Sequence, residues 1–133
     1  MKYKHIKVKN FDEIPKNGAF CAEYYGDGTK EWYINGKLHR VDGHAVEFSS
    51  GTKQWWVDGQ RHRLDGPAVE FSSGAKQWWV DGNRHRLDGP AVEFSNGNKK
   101  WYINAKSYSE KDYYKKLYKM KLITKEELFM EML

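Results

Sequence analysis

The chain has 133 residues, a formal net charge of +5 and one cysteine, Cys21. A chain of this length most often forms one domain with one modest core. A single cysteine excludes an intramolecular disulfide framework and is typical of a reducing compartment. No apolar run approaches the about 18 residues of a membrane-spanning helix, and the basic start lacks the apolar stretch of a signal peptide. We therefore expect a cytoplasmic protein that makes no use of a membrane.

The excess of positive charge lies at the two ends of the chain. Residues 17–104 contain eleven basic and eleven acidic side chains, whereas residues 1–16 carry a net charge of +3 and residues 105–133 a net charge of +2. A surface that follows a phosphate backbone is expected to be basic along its whole length. The charge distribution therefore gives little support to nucleic-acid binding.

The first sixteen residues predict one strand and a turn. Apolar and charged residues alternate over Tyr3–Lys9, which is typical of a strand, and Asp12–Lys16 contains Pro15 and predicts a turn. We interpret residues 1–16 as an N-terminal strand and lead-in to the segment that follows.

Residues 17–104 repeat with a period of 23 residues, as the leading glycines Gly28, Gly51, Gly74 and Gly97 show. A fixed period of this size predicts stacked units that cannot bury their apolar side alone. The array contains three full repeats between two half repeats, namely Gly18–Gly28, Gly28–Ser50, Gly51–Ser73, Gly74–Asn96 and Gly97–Asn104.

Each repeat alternates with period two and contains turn signals, for example Asp58-Gly59, so it predicts a short kinked β-hairpin. Successive hairpins are expected to pair into one twisted antiparallel sheet. Period two assigns the side chains of a repeat to two faces. The predicted inner face contains Trp55, Val57, His62, Leu64, Val69 and Phe71, and the predicted outer face contains Trp56, Arg61, Arg63 and Glu70.

After Asn104 the pattern becomes helical. Ser109 and Thr124 are each followed three residues later by an acidic residue, which is typical of a helix start. We expect two short helices, about 110–121 and 125–132, that cap the last hairpin and cover its exposed edge. The predicted fold is mainly β, with a MORN-like sheet of stacked hairpins over residues 17–104 and a helical cap over residues 105–133.

The sequence contains no convincing catalytic, metal or cofactor site. Each of His39, His62 and His85 precedes an arginine, but successive histidines lie one repeat apart, about 10 Å, and do not converge on one point as metal ligands must. The serines lie in turns, and Cys21 has no evident partner. We expect a protein that is not an enzyme and binds neither metal nor cofactor.

The second aromatic residue of each repeat lies on the predicted outer face. Rings one repeat apart are separated by about 10 Å, so a flat group can lie between them. That group is an arginine guanidinium of this chain, or else a base, a nucleotide or a side chain of a partner. The glutamate and arginine rows form either an ion-pair ladder or a charged contact surface. The candidate contact residues are Tyr33, Trp56, Trp79, Tyr102, Arg40, Arg63, Arg86 and Glu70.

Residues 56–62 have the sequence W-V-D-G-Q-R-H, with Gly66 and Gly74 downstream, and this segment resembles the MORN repeat, a hairpin repeat with a period near 23 residues. The fuller pattern H-R-x-D-G-P-A resembles a variant repeat of bacteriophage and giant-virus proteins, in which a segment like Glu13–Pro15 often precedes the array. The resemblance covers about residues 13–104. It implies protein binding, oligomer formation or lipid contact, although Arg63–Asp65 replaces the short glycine segment of a MORN unit and argues against lipid.

These observations predict a non-enzymatic binding protein that presents a repetitive Trp/Arg/Glu surface to a macromolecule. A protein partner is favoured, and the phage-like resemblance implies that the partner is a defence or regulatory protein in the cytoplasm of a host cell, which this chain inhibits. Two alternatives stay open. One is a nucleotide or nucleic-acid binder that uses the Trp–Arg stripe, and the other is a structural protein that assembles into a homo-oligomer.

Overall fold

A computed structural model of the chain describes residues 2–133, and Met1, the first residue of the predicted N-terminal segment, lies outside the described residues. The described residues form fifteen short strands, a 3-10 turn at Phe11–Glu13 and two helices, α1 (Glu110–Lys119) and α2 (Lys125–Met132). The strands are β1 (Lys4–Val8), β2 (Ala19–Tyr24), β3 (Lys30–Ile34), β4 (Lys37–Leu38), β5 (Val46–Glu47), β6 (Lys53–Gln54), β7 (Trp56–Val57), β8 (Gln60–Arg61), β9 (Val69–Glu70), β10 (Lys76–Gln77), β11 (Trp79–Val80), β12 (Asn83–Arg84), β13 (Val92–Glu93), β14 (Lys99–Ile103) and β15 (Lys106–Tyr108).

Eleven of these strands form one sheet in the order β1-β2-β3-β5-β6-β9-β10-β13-β14-β15, with β4 attached to β3. The predicted mainly β architecture of hairpin repeats is therefore confirmed. One pairing differs from the prediction, because β1 lies parallel to β2 and the sheet is mixed. The chain between the two strands crosses the sheet, as a parallel connection requires, and its Ile14 packs on Val8 and Ala22 of β1 and β2.

Within a repeat, one bent strand pairs at both of its ends. In the second repeat β6 pairs with β5 and β9, and the chain then bends at Trp55 into β7, which pairs with β8. The turn between β7 and β8 is Asp58-Gly59, and both residues have positive φ, 50° and 77°. This is the tight hairpin that the Asp-Gly pair predicts.

Lysine and glutamate alternate strand by strand across the main sheet. The neighbours in this row are Lys7, Glu23, Lys30, Glu47, Lys53, Glu70, Lys76, Glu93 and Lys99. The adjacent row points to the other face of the sheet, where Val46, Val69 and Val92 are buried. Cross-strand pairs of opposite charge each contribute up to about 1 kcal/mol and support this register.

The two predicted helices are confirmed, and each begins at its predicted cap. Ser109 accepts a hydrogen bond from the Asp112 amide at 3.1 Å, and Thr124 and Glu127 form a reciprocal capping box. The first helix ends at Lys119, two residues earlier than predicted. Its buried face packs on the last hairpin in a cluster that contains Trp101, Ile103, Tyr113 and Leu117.

A second cap closes the other end of the array. Ile14 is buried against Tyr33 in the N-terminal core cluster, and the ring of Phe11 lies 6.0 Å from the ring of Tyr33. The lead-in segment therefore covers the first repeat on the face that carries the second aromatic residue. Neither of the helices found in residues 2–133 has the length and apolar character needed to cross a membrane.

Candidate functional site

The two faces of a repeat differ from those that period two predicts. Val69 lies opposite Gln54, and Trp56 donates its indole N–H to the Gln54 side chain at 2.9 Å, so Val69 belongs with Trp56. Arg63 lies over the ring of Trp55 and pairs with Glu70, so these three side chains occupy the other face. The prediction extended strand alternation through residues 62–67, where the chain leaves the strand and alternation does not apply.

Arg63 is held by four contacts within its own repeat. Its guanidinium carbon lies 3.9 Å from the centroid of the Trp55 ring, and its Nε donates to Asp65 Oδ1 at 3.1 Å. One Nη donates to the Pro67 carbonyl at 3.0 Å and to Glu70 Oε1 at 3.5 Å. We call this set of contacts the arginine clamp. It explains the sequence pattern R-x-D-G-P-A-V-E as one structural unit.

The clamp recurs in the repeats before and after. Arg86 lies 3.8 Å from the Trp78 ring centroid and contacts Asp88, the Pro90 carbonyl and Glu93. Arg40 likewise covers Trp32 at 4.2 Å and contacts Asp42 and the His44 carbonyl. In that first repeat Glu47 pairs with His44 instead of with the arginine. The structure thus shows the predicted arginine–glutamate pairing in two repeats of three.

These contacts change the role of four predicted partner-binding residues. The three clamp arginines and Glu70 use their charged groups within the fold, and the arginine side chains are only 19% to 24% exposed. The four residues are Arg40, Arg63, Arg86 and Glu70.

A second set of arginines lies between the aromatic rings of the other face. The Arg61 guanidinium lies 5.0 Å from the Trp56 ring centroid and 5.2 Å from that of Trp79. The Arg84 guanidinium lies 5.1 Å from Trp79 and 5.5 Å from Tyr102. We call Trp56, Arg61, Trp79, Arg84 and Tyr102 the arginine–aromatic stack. The sequence left open which flat group fills the gap between two rings. In the structure it is an arginine guanidinium of this chain.

The guanidinium groups of Arg61 and Arg84 lack an acceptor. Within residues 2–133 neither side chain makes a hydrogen bond or an ion pair, and the Nε atom of each is buried without a partner. Burial, together with the nearby charge of Arg84, lowers the pKa of Arg61. A buried donor without an acceptor costs free energy, and a charged one costs more. The fold therefore bears a cost at these two buried Nε atoms.

The rings of the stack are held in place. Trp56 and Trp79 each donate an indole N–H to the glutamine two residues earlier, at 2.9 and 3.0 Å. Tyr33, the predicted first member of the stripe, is only 4% exposed because the lead-in covers it, so it is excluded from a contact surface. Trp56, Trp79 and Tyr102 remain partly exposed.

The face that carries the stack is positively charged. The strand row beside it continues with Gln54, Gln77 and Lys100, each opposite a buried valine. The nearest acid in that row is Glu31, at the N-terminal end, where its carboxylate accepts hydrogen bonds from the hydroxyls of Tyr24 and Tyr33. Among the paired strand residues of this face, the charged groups near the stack are therefore cationic, while Asp58 and Asp81 lie exposed in the turns of the stack hairpins.

A comparison between repeats could have identified Arg61 and Arg84. The clamp arginine occurs in all three full repeats, whereas the stack position holds Leu38 in the first repeat and Ser107 after the last. A side chain that the hairpin itself needs is expected in every copy. The variation at the stack position indicates that the hairpin folds without an arginine there.

The histidines connect neighbouring repeats. His39 Nδ1 accepts the amide N–H of Asp58 at 3.0 Å, and His62 and His85 do the same with Asp81 and Asn104. Burial raises the pKa of the Cys21 thiol. In the part of the chain that the structure describes, no group of three or more His, Cys, Asp or Glu side chains could hold a metal ion.

The clamp face carries open grooves between successive R-x-D-G loops. Leu64, predicted to be internal, is 80% exposed because it lies at the tip of a loop, and Phe71, also predicted to be internal, is 38% exposed. One groove of about 740 Å³ runs between the Leu64 and Leu87 loops, with Leu122 at its rim. A groove of about 630 Å³ lies one repeat earlier.

No family model, no curated protein and no solved structure matches this chain. The resemblance to the MORN repeat therefore stays a prediction that rests on the sequence pattern.

Proposed function

We propose that this chain is a non-enzymatic binding protein and that the arginine–aromatic stack contacts a protein partner. The observation that carries the proposal is the lack of an acceptor for Arg61 and Arg84, while the clamp arginines two residues further on bond through Nε and one Nη. Tryptophan, tyrosine and arginine are also the residues that dominate the binding energy of protein interfaces.

The geometry of the rings favours a protein over a nucleic acid. The guanidinium groups of Arg61 and Arg84 both lie near the ring of Trp79, at 5.2 and 5.1 Å from its centroid. Proteins that bind single strands use aromatic faces on which bases stack, and here two arginines of the chain already lie beside the ring. This face also offers only three cations, Arg61, Arg84 and Lys100, whereas proteins that bind a phosphate backbone commonly contact about six to ten phosphates.

The identity of the partner rests on the resemblance alone. If the variant repeat places this chain among bacteriophage proteins, the partner is a host protein of defence or regulation, and binding inhibits it. The contact surface proposed above does not depend on that part of the proposal.

The test is a pull-down from host lysate followed by affinity measurement. Arg61→Gln combined with Arg84→Gln removes the two unpaired charges. The matched control, Lys53→Gln combined with Lys76→Gln, removes two charges from the opposite face. We expect the arginine pair to weaken binding at least about thirtyfold and the lysine pair less than about threefold. Circular dichroism checks the fold. Equal affinity of the two folded double variants would move the contact away from the stack.

A further inference from the structure

We infer that the arginine–aromatic stack binds two carboxylates that a partner presents two helical turns apart, at positions i and i+7 of an acidic helix. This inference rests on the proposed function and adds the chemistry and the spacing of the partner's contact residues.

The anionic character of the partner follows from the donors. A guanidinium carries five N–H donors. In Arg61 and Arg84 only the Nε atom is buried without a partner, and the Nη groups, which have no acceptor among the described residues, are the donors that a partner can reach. Carboxylates accept such donors in parallel pairs, and charged hydrogen bonds of this kind are about twice as strong as neutral ones. A neutral partner would leave both charges unpaired and would add to their desolvation.

The aromatic neighbours fix where the two donors lie. Each guanidinium lies between two rings, at 5.0 to 5.5 Å from their centroids. The indole N–H bonds to Gln54 and Gln77 in turn hold the two tryptophans. A side chain held in this way loses little conformational freedom when it binds an anion, which favours affinity.

The spacing selects the shape of the partner. Arg61 and Arg84 occupy equivalent positions of successive repeats, two strand spacings or about 10 Å apart. Helix positions i and i+7 lie on one face and about 10.5 Å apart. Positions that share a face of an extended strand are about 6.6 or 13 Å apart, and neither distance matches. An acidic helix that runs across the strands therefore meets both arginines.

The occupied rings separate this partner from a nucleic acid, whose phosphates could also accept from arginine. A phosphate-bearing strand would gain the same charge contacts, but base stacking on Trp79 would compete with the two arginines that lie beside that ring. The experiment distinguishes carboxylates from phosphates because it compares acidic peptides with a single-stranded oligonucleotide.

The experiment uses the full chain and three designed helical peptides that differ only in two side chains. One peptide has Glu at i and i+7, the second has Glu at i and i+4, and the third has Gln at i and i+7. Tryptophan fluorescence reports binding. We expect the i, i+7 peptide to bind at least about tenfold more tightly than either of the others, and the Arg61→Gln, Arg84→Gln variant to abolish that preference.

Several results would overturn the inference. These are equal affinity for the two Glu peptides, no binding of any peptide, or tighter arginine-dependent binding of a single-stranded oligonucleotide of matched charge. The outcome is separable from that of the proposed function. If a captured protein partner depends on the arginine pair while the peptides fail, only the carboxylate spacing is wrong. If the captured partner ignores the arginine pair, the proposed function is wrong.

Discussion

Arg61 and Arg63 are two residues apart in the same R-H-R segment, and the structure uses them in opposite ways. Arg63 covers Trp55, and its guanidinium donates to Asp65, Pro67 and Glu70. Arg61 lies between two rings of the other face, and no acceptor for it occurs among the residues described. The clamp arginine bonds within its own repeat, whereas the stack arginine makes ring contacts and no hydrogen bond within the described residues.

The difference shows that contact with a ring does not by itself define the role of an arginine. Both arginines make cation–π contacts, and such contacts contribute roughly 0.5 to 2 kcal/mol. The two arginines differ in whether the N–H groups of the guanidinium find acceptors within the fold. An arginine whose donors are bonded within the fold is expected to contribute more to folding than an arginine with a buried unsatisfied donor.

The largest expected effect tests this division directly. Arg63→Ala combined with Arg86→Ala removes two clamps and should lower the free energy of unfolding by about 4 kcal/mol, or about 2 per site, because ring cover and hydrogen bonds are lost together. Arg61→Ala combined with Arg84→Ala should cost under about 1 kcal/mol per site, because the lost ring contact is offset by relief of a buried unpaired donor.

Urea unfolding of the two double variants measures both quantities. The variants remove the same number of positive charges from the same two repeats, so a general charge effect cancels. Equal destabilisation, or a larger cost for the stack pair, would show that the division between clamp and stack is wrong.

The second prediction concerns the last clamp, which the helical cap supports. The Tyr113 hydroxyl donates to the carbonyl of Arg86 at 2.7 Å and accepts the Gly89 amide at 3.3 Å. Burial raises the pKa of Tyr113 to about 12. Because the folded pKa lies above the unfolded value of about 10, the stabilisation is complete below pH about 10 and is lost as the pH rises toward 12.

Two pKa units correspond to about 2.7 kcal/mol in total, of which up to about 2 kcal/mol falls between pH 10 and 12. The chain should therefore lose up to about 2 kcal/mol more than its Tyr113→Phe variant over that range. Denaturant unfolding at several alkaline pH values measures the difference. Tyr118→Phe is the control, since that side chain lies on the same helix and is 42% exposed. Parallel alkaline curves for the chain and Tyr113→Phe would contradict the assignment.

The smallest expected change in stability concerns the space between Gly66 and the Arg63 guanidinium. A Cβ at Gly66 would lie 3.0 Å from the guanidinium carbon of Arg63, so Gly66→Ala should displace the clamp and cost about 1 kcal/mol. Gly26 has no atom within 4 Å of the corresponding position and no positive φ, so Gly26→Ala should be close to neutral. Thermal unfolding compares the two variants, and a neutral Gly66→Ala would mean that the guanidinium packs more loosely than its distances indicate.

Much of the fold could be predicted because each repeat contains the same local sequence signals. The Asp-Gly turns, the period of 23 residues and the caps at Ser109 and Thr124 depend on residues close in sequence, and all are present in the structure. The parallel pairing of β1 was not predictable in this way, because it depends on how Ile14 packs against residues of other strands.

The candidate site was predicted only in part, for a related reason. The second-ring stripe was predicted. The structure places Arg61 and Arg84 beside its rings, whereas the predicted arginines lie over the first ring of each repeat. Arg63 shares sequence parity with Trp56 but folds back over Trp55 once the strand ends. Its N–H groups reach Asp65 and Glu70 because the chain forms a loop after the strand. Strand alternation does not describe the path of that loop. Arg61 was placed on the correct face but was left out of the site, because its lack of acceptors is a property of three-dimensional surroundings.

The alternating row of lysine and glutamate has a consequence for the size of the protein. Each repeat contributes one lysine and one glutamate to the row, and each histidine bonds the turn one repeat ahead. Removing residues 51–73 would join Ser50 to Gly74 with the alternation intact and with His39 facing the turn at Asp81. The array can therefore shorten or lengthen by whole copies, since each copy contacts only its neighbours. Each added copy would also add one guanidinium without an acceptor, so the number of such groups on the stack face would rise with the number of repeats.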